Sequence, residues 1–365
     1  MAFSLFGKLG GAKSVLGLDI GTASIKLVEL GRSGGRHELL NYGIFELADL
    51  EGAIETNQAT AKLQSDGIVA GIRELVKRAK LDSNKVVASI PAFSTFATVI
   101  SMPYLSEKDL AKAIPIEAKK YIPIPIELVD IDWTIIGTTP SVSGSAGAGA
   151  AKVPVVDVFL VAIAQAEKKK YQSIIRAAGL ELLHFDLESI GLIRSIIGND
   201  LSPMALVNIG GRSTTIMVVD RGYERISHNY EVGGFEITRS IARSLGVNLA
   251  RAEELKRSVG LKKDGTKVIS ESMLSLIDMI IFETQKTITT YEREKNTKLQ
   301  KVFLVGGIAN MPGFLDYFKS KTQLDISIGN PFARVSYSSK LASIINELAP
   351  SLAIATGVAM REVSL

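Results

Sequence analysis

Apolar and polar positions alternate around a turn-like segment at the start of the chain. Residues 14–20 and 25–30 are mostly apolar, and they flank the polar stretch Gly21-Thr22-Ala23-Ser24. β-Rich segments joined by a tip that contains glycine are typical of a hairpin. A third strand is expected at 36–46, and apolar residues at helical spacing predict a helix over 66–80.

Residues 85–180 show a different pattern and predict a compact α+β insert. Strands are expected at 85–90, 93–102, 130–136 and 155–164, and helices at 107–120 and 166–178. Ser106 is a candidate N-cap for the first of these helices, and Pro115 inside it favours a kink. Residues 141–151 contain only Gly, Ala, Ser and Val and predict a flexible loop.

The second half of the chain repeats the opening pattern. Residues 205–219 again read as strand, Asx-Ile-Gly, hydroxyl-rich tip and strand, so that Asn208 takes the place of Asp19. Two such copies indicate internal duplication of the fold, since solenoid repeats have much shorter periods. The remaining periodicity predicts strands at 182–185 and 302–305 and helices at about 187–197, 235–245, 250–258, 271–295, 311–319 and 351–360.

Composition and charge narrow the class of protein. The 365 residues are 46% hydrophobic and 22% charged, as in folded globular chains with two or three domains. The formal net charge of +4 is too small to indicate nucleic-acid binding. There is no cysteine, which excludes disulfides and thiolate metal sites. No apolar run approaches the roughly 18 residues of a membrane span, and we expect a cytoplasmic protein.

Three glycine-containing strand ends could surround a polyphosphate. Backbone N–H groups in tight glycine turns bind anions, and the missing side chain permits close approach. The two tips add hydroxyl donors at Thr22, Ser24, Ser213, Thr214 and Thr215. Asp19 precedes the first tip, where a carboxylate can hold Mg²⁺ through its waters.

These motifs resemble those of the actin-like ATPase superfamily. Leu18-Asp19-Ile20-Gly21-Thr22 resembles its first phosphate loop, the segment from Asn208 to Thr215 its second, and Phe303-Leu304-Val305-Gly306-Gly307 its adenosine motif. The insert resembles the one shared by the FtsA and PilM families. Ser89-Ile90-Pro91 and the segment from Glu117 to Pro123 resemble PilM most closely.

The resemblance implies an α/β fold, actin-like and two-lobed, in which a ribonuclease H-like unit is duplicated and an FtsA/PilM-type α+β insert is added. The expected first lobe comprises 14–84, 181–205 and 345–365. The insert would be 85–180 and the second lobe 206–344.

The resemblance also implies ATP and Mg²⁺ as cofactors and carries over their binding residues. Asp19 matches the magnesium-associated aspartate. The implied nucleotide contacts are Gly21, Thr22, Ser24 and Lys26 at the first tip, Gly210, Gly211, Ser213 and Thr214 at the second, Glu253 and Lys256 at the nucleoside, and Gly306, Gly307 and Ile308 at the adenosine strand end. Glu283 and Lys286 share a helix face; they could reach the same nucleoside or form a surface ion pair.

Asn208 departs from the family pattern. The second phosphate loop normally begins with Asp, whose carboxylate helps to position Mg²⁺ or the attacking water. Asn keeps the hydrogen bonding and loses the charge. Glu188 is the best candidate for positioning water, although the sequence favours a simple carboxylate at a helix N-terminus for it. We expect ATP binding with at most slow hydrolysis and assign no catalytic residue.

For function, the resemblance implies a cytoplasmic scaffold of a type IV pilus or related secretion platform. Its implied partner is the N-terminal cytoplasmic peptide of a PilN-like inner-membrane protein, held as an extended segment between the insert and the first lobe. The scaffold would thereby lie at the inner face of the membrane. The apolar residues near that groove are Ile114, Ile116, Tyr121, Ile122 and Ile124. Most of them are expected in the insert's own core, and the surplus would line the groove. Pilus motor ATPases and further copies of the chain are additional candidate partners.

Two alternatives share the superfamily. An FtsA-like membrane adaptor would end in a basic amphipathic helix, and residues 361–365 show no such pattern. A sugar kinase would carry a catalytic aspartate and sugar-binding segments in place of the insert. We therefore favour the scaffold.

Overall fold

The computed structural model describes residues 14–47, 60–139, 154–262 and 267–363, so the loop expected at 141–151 lies outside the described residues. The strands are β1 (Ser14–Ile20), β2 (Ser24–Ser33), β3 (Arg36–Glu46), β4 (Lys85–Ile90), β5 (Thr95–Pro103), β6 (Val129–Thr139), β7 (Val155–Ala164), β8 (Glu181–Leu187), β9 (Met204–Ile209), β10 (Thr214–Asp220), β11 (Tyr223–Tyr230), β12 (Lys301–Val305), β13 (Ile326–Ile328) and β14 (Val335–Ser336). The α-helices are α1 (Thr60–Ala79), α2 (Glu107–Ala118), α3 (Gln165–Ala177), α4 (Glu188–Leu192), α5 (Gly234–Leu245), α6 (Leu249–Ser258), α7 (Lys267–Lys295), α8 (Phe314–Lys321), α9 (Ile345–Leu348) and α10 (Ala353–Glu362).

Two sheets have the same strand order. The first runs β3-β2-β1-β4-β8, with β14 added beside β3, and the second runs β11-β10-β9-β12-β13. In the first sheet β2 is antiparallel to both β1 and β3, and β4 and β8 run parallel to β1. In the second sheet β10 is antiparallel to both β9 and β11, and β12 and β13 run parallel to β9. The repeated topology confirms the internal duplication. We call the first sheet with α1, α3 and α10 the first lobe, and the second sheet with α5 to α8 the second lobe.

The third sheet, β5-β7-β6, forms the insert together with α2. Ser106 caps α2 as predicted, and its hydroxyl accepts the backbone N–H of Asp109 at 3.2 Å. Ile114 of α2 and Ile122 after it are buried in the insert core, whereas Ile116 is exposed. The two buried isoleucines are therefore not surplus apolar surface.

Three segments lie in a different unit from the one the sequence suggested. The strand Lys85–Ile90, expected in the insert, lies in the first sheet between β1 and β8. Its last five residues are buried, as expected of a strand with parallel neighbours on both sides. The helix α3 also packs into the first-lobe core, through Tyr171 and Ile174. The short β14 pairs with β3 and not with the second sheet. The division at 85, 180, 205 and 344 stays a prediction.

The helix α10 is buried on every side. All ten of its residues are buried, as is usual for a helix that lacks a polar face. A Cβ on Gly17 of β1 would lie 1.9 Å from the Ala355 carbonyl oxygen, and one on Gly357 would lie 1.8 Å from that of Gly191. The same apolar cluster includes Leu206 of the second sheet. The helix therefore occupies a core shared by both lobes.

Among the described residues, no helix combines the length and the hydropathy that crossing a membrane requires.

Candidate functional site: the cleft between the two sheets

The two glycine tips have the same turn geometry. The Gly21 N–H donates to the Ser24 carbonyl oxygen at 3.1 Å, and the Gly210 N–H donates to that of Ser213 at 2.9 Å. The strand register also matches, because Asp19 pairs with Lys26 as Asn208 pairs with Thr215. The tips are structurally equivalent parts of the two lobes.

The tips face each other in direct contact. A Cβ on Gly211 would lie 2.5 Å from the Cβ of Ala23 and 3.0 Å from Oγ1 of Thr22, so this close approach requires glycine. The N-terminus of α5 supports the second tip, since Gly234 and Phe235 donate to the carbonyl oxygens of Gly210 and Gly211 at 2.9 and 2.7 Å. The structure thus brings the two predicted phosphate loops together.

Four backbone donors at these tips are free. Within the described part of the chain, the N–H groups of Thr22, Ala23, Gly211 and Arg212 donate to no acceptor. Two facing turns with unpaired N–H groups form a concave site that suits an anion.

Asp19 is buried at the base of the first tip. Its Oδ1 accepts from Ser89 Oγ at 3.1 Å, and its Oδ2 lies 3.2 Å from Lys26 Nζ. The position of Ser89 in β4, next to β1, explains this contact, which the sequence did not predict. The carboxylate is thus held in place by Ser89 and Lys26 where the first tip begins.

The two glycines after β12 have opposite surroundings. Gly306 has a φ of +90°, and its Cβ would lie 2.2 Å from the Ile209 carbonyl oxygen. Gly307 is exposed, and its Cβ would meet nothing within 4 Å. Ile308 is buried and lies against Gly234, since a Cβ added to Gly234 would be 3.3 Å from Cδ1 of Ile308. The open face of Gly307 fits a ligand that packs against the strand end.

Lys256 belongs to a buried polar cluster beside this strand end. Its Nζ donates to the Gly234 carbonyl oxygen at 3.1 Å and to Thr238 Oγ1 at 2.8 Å, and it pairs with Glu253. Burial lowers the pKa of Lys256. Burial opposes ionisation of Glu253, but Lys256, Thr238 and Arg257 together hold its pKa below the ordinary value. All three donors of Lys256 are used here, so this residue fixes α6 against the start of α5.

Glu283 and Lys286 lie apart from this cluster, on the α7 face beside β11. Glu283 lies 3.3 Å from Lys286, and the Tyr230 hydroxyl donates to it and lowers its pKa. No hydrogen bond among the described residues links either side chain to Lys256. The geometry is that of the surface ion pair, and a nucleoside contact stays a prediction.

A cavity of about 230 Å³ lies behind the tips, between the first residues of β5, the start of α4 and the second sheet. Its polar lining includes Glu188, Asn208, Thr215 and Glu224. Burial, together with the charge of Asp19, raises the pKa of Glu188 to about 8. Burial also raises the pKa of Glu224. Glu188 and Asn208 thus line the same cavity.

Glu188→Gln should make the chain more stable above pH 8. The carboxyl keeps its proton up to about pH 8 when folded but ionises near 4.5 in the unfolded chain, so stability falls as the pH rises between these values. Glutamine removes this loss, and the difference should shrink as the pH falls toward 4.5. Thermal unfolding across this range tests it, with the exposed Glu127→Gln as control. A gain in Tm that does not change with pH would contradict the raised pKa of Glu188.

Known proteins share this architecture. A chain of the solved PilM-PilN type IV pilus biogenesis complex matches with a TM-score of 0.78 and 21% identity, over 98% of this chain and 100% of that chain. MreB 5 of Spiroplasma citri bound to AMPPNP matches with a TM-score of 0.52 and 13% identity, over 95% of each chain. At such identities the likeness shows the fold, which is actin-like.

Sequence comparison adds a relative and a family. Cell division protein FtsA of Bacillus subtilis (strain 168) is 22% identical over an alignment of 179 residues, and the match covers 43% of this chain and only 41% of the length of that relative. The family model for "Type IV pilus assembly protein PilM" matches residues 17–363. Since this match extends over almost all of the sequence, the chain belongs to the PilM family of type IV pilus assembly proteins.

Proposed function

We propose that this chain is a nucleotide-binding scaffold of a type IV pilus assembly platform, which binds Mg²⁺-ATP between its lobes and a membrane partner's cytoplasmic peptide at its insert. The observation that carries the nucleotide part is a set of N–H groups on two touching tips, at Thr22, Ala23, Gly211 and Arg212, that donate to no acceptor among the residues described. The open face of Gly307 supports a nucleoside beside them. The MreB 5 chain of the same fold was solved with AMPPNP.

Each part of the cleft would have its own task. The free N–H groups of the two tips would bind the phosphates, and Asp19, held by Lys26 and Ser89, would orient the waters of the cation. Mg²⁺, when bound, would neutralise part of the phosphate charge. Asn208 supplies neither charge nor a basic oxygen at the second tip, so it cannot take a proton from water. We therefore expect turnover far below the roughly 10 per second of an ordinary enzyme.

Asp19→Ala should weaken ATP binding by about tenfold or more in the presence of Mg²⁺, because the oriented carboxylate is lost. Calorimetric titration of the full chain measures this. Asp316→Ala, an exposed position on α8, is the matched control and should bind like the unmodified chain. The nucleotide proposal fails if the unmodified chain releases no binding heat at millimolar ATP, or if both variants bind equally well.

The proposed peptide site lies on the exposed apolar surface of the insert. Ile116, Tyr121, Ile124 and Leu128 are 69%, 42%, 41% and 58% exposed. This stretch contains three prolines, at 115, 123 and 125, and lies outside the sheet. An extended apolar peptide could bury its side chains here at roughly 25 cal/mol per Å². The solved PilM-PilN complex, in which a protein of this fold is assembled with PilN, supports a partner of this kind.

Ile124→Glu and Leu128→Glu should each abolish capture of a PilN-like N-terminal peptide and leave ATP binding unchanged. A charge at Ile122 would not be informative, because that side chain is buried in the insert core. Leu201→Glu, 63% exposed on a distant loop, is the matched control. Immobilised peptide and calorimetry measure the two functions separately. Capture that persists in both insert variants would place the groove elsewhere.

A further inference from the structure

A third surface, remote from the cleft and the insert, runs along the helix α7. Exposed positions that recur at intervals of three and four residues form one face: Val268, Glu271, Ser275, Asp278, Met279, Phe282, Lys286, Thr289 and Arg293. Lys267, Glu294 and Lys295 at the two ends of the helix are exposed as well. The opposite face packs into the second lobe through residues such as Ile277 and Ile281. Phe282 is 60% exposed, and Val268 and Met279 are about half exposed.

The residues of this face are arranged symmetrically about Phe282. Four residues before it lies Asp278, and four after it lies Lys286. Eleven residues before it lies Glu271, and eleven after it lies Arg293. Steps of four and eleven return to the same side of an α-helix. Apart from Lys267, which lies 3.5 Å from Glu271 at the start of the helix, acidic groups thus occupy one half of the face and basic groups the other, at equal distances from one phenyl ring.

We propose that a second copy of this chain docks on this face, with the two α7 helices antiparallel about a two-fold axis through Phe282. In such an isologous contact residue i meets residue j of the other copy, and j meets i. Phe282 then packs on its own counterpart. Asp278 faces Lys286 of the second copy, and Glu271 faces Arg293 of the second copy. The charge order is complementary only in the antiparallel direction.

The C-terminal end of α7 has a matching concavity. A surface cavity of about 330 Å³ is lined by Thr289, Arg293 and Asn296, among others. Val268 and Asn296 are equally far from Phe282, so the proposed axis places Val268 of the second copy at this cavity. The helix of 29 residues is about 43 Å long at 1.5 Å per residue, which allows overlap along its whole length.

The strength expected of this contact is modest. A pair of single helices buries less than the roughly 1,600 Å² of a standard stable interface. The exposed ion pairs are screened by salt. We therefore expect a micromolar dimer that dissociates further at high ionic strength. An anionic membrane suits the face less well, because the acidic half would be repelled.

Cysteine pairing tests the axis directly, because the chain has no cysteine of its own. Ser275 and Thr289 are exposed, lie seven residues on either side of Phe282, and face each other across the proposed axis. Mixing full-length Ser275→Cys with Thr289→Cys under mild oxidation should give a disulfide-linked dimer. Each variant alone should not, since like positions would be about 21 Å apart at 1.5 Å per residue. Equal cross-linking in the mixture and in either variant alone would overturn the proposal.

Charge reversal and its rescue provide a second, independent test. Glu271→Arg alone and Arg293→Glu alone should each raise the dimer dissociation constant by about fivefold or more, as measured by sedimentation, because like charges then meet. The double variant should return it close to the original value, which misfolding could not do. Phe282→Glu should abolish the dimer. If the double variant stays monomeric, or if Phe282→Glu loses binding to phosphatidylglycerol vesicles and the unmodified chain is monomeric, the face is not a homodimer contact.

Discussion

Gly307→Val should leave the chain folded and weaken ATP binding by about a hundredfold or more, whereas Gly306→Ala should destabilise the fold itself. At Gly307 a side chain would meet no protein atom within 4 Å, so its added volume projects into the cleft. At Gly306 the φ of +90° disfavours any side chain, and the added Cβ would lie 2.2 Å from a backbone oxygen. We expect Gly306→Ala to lower the free energy of unfolding by about 3 kcal/mol or more.

Thermal unfolding and calorimetry with Mg²⁺-ATP separate the two effects. Gly307→Ala is the matched control for stability, because it adds the same atom as Gly306→Ala one residue away. Should Gly307→Val bind ATP like the unmodified chain, the nucleoside does not lie against this strand end. If Gly306→Ala unfolds at the same temperature as Gly307→Ala, the backbone of β9 can shift away from residue 306 at little cost in stability.

Gly17→Ala and Gly357→Ala should produce the largest losses of stability in the first lobe. At each position a Cβ would lie within 2 Å of a carbonyl oxygen, 1.9 Å for Gly17 and 1.8 Å for Gly357, so α10 must move away from β1 or α4. Overpacking of this kind costs about 3 kcal/mol or more when backbone has to shift. For a chain of this size we expect a drop in Tm of about 4 °C or more.

Urea and thermal unfolding measure this loss, and Gly307→Ala again serves as the control. The two variants together should cost less than the sum of their separate effects, because one displacement of α10 relieves both contacts. A Tm within about 2 °C of the unmodified chain would show that the helix is not seated so closely.

The glycine motifs were the most predictable part of the molecule. Asp19 and Asn208 are each the next-to-last residue of a strand that leads into a glycine turn, and the structure gives both turns the same hydrogen bond. Local chemistry determines such turns, since only residues a few positions apart take part. The contact of Gly211 with Ala23 joins two lobes and has no local signal.

Other features depend on long-range pairing. An apolar run such as Lys85–Ile90 identifies a buried strand but not the sheet that it joins, and its position beside the insert strands in sequence is misleading. The strand β11 has no clear apolar signal because 227–229 is polar. The sequence therefore predicted neither this strand nor Glu224, which lines the same cavity as Glu188 and Asn208. Ile122 and Ile124 look alike in sequence, yet one is 6% exposed and the other 41%. Tertiary context decides such cases.

The position of α10 has a consequence for the order in which the molecule can be made. The second lobe is built from the continuous stretch 204–328, so it can fold as soon as that stretch has left the ribosome. The strands β1 and β2, synthesised first, have to wait for residues 353–363 to cover them. The strands that are synthesised first are thus covered last, by the helix that is synthesised last. A truncated product lacking α10 would carry a second lobe folded on its own core, with apolar faces of both sheets exposed for chaperones to bind.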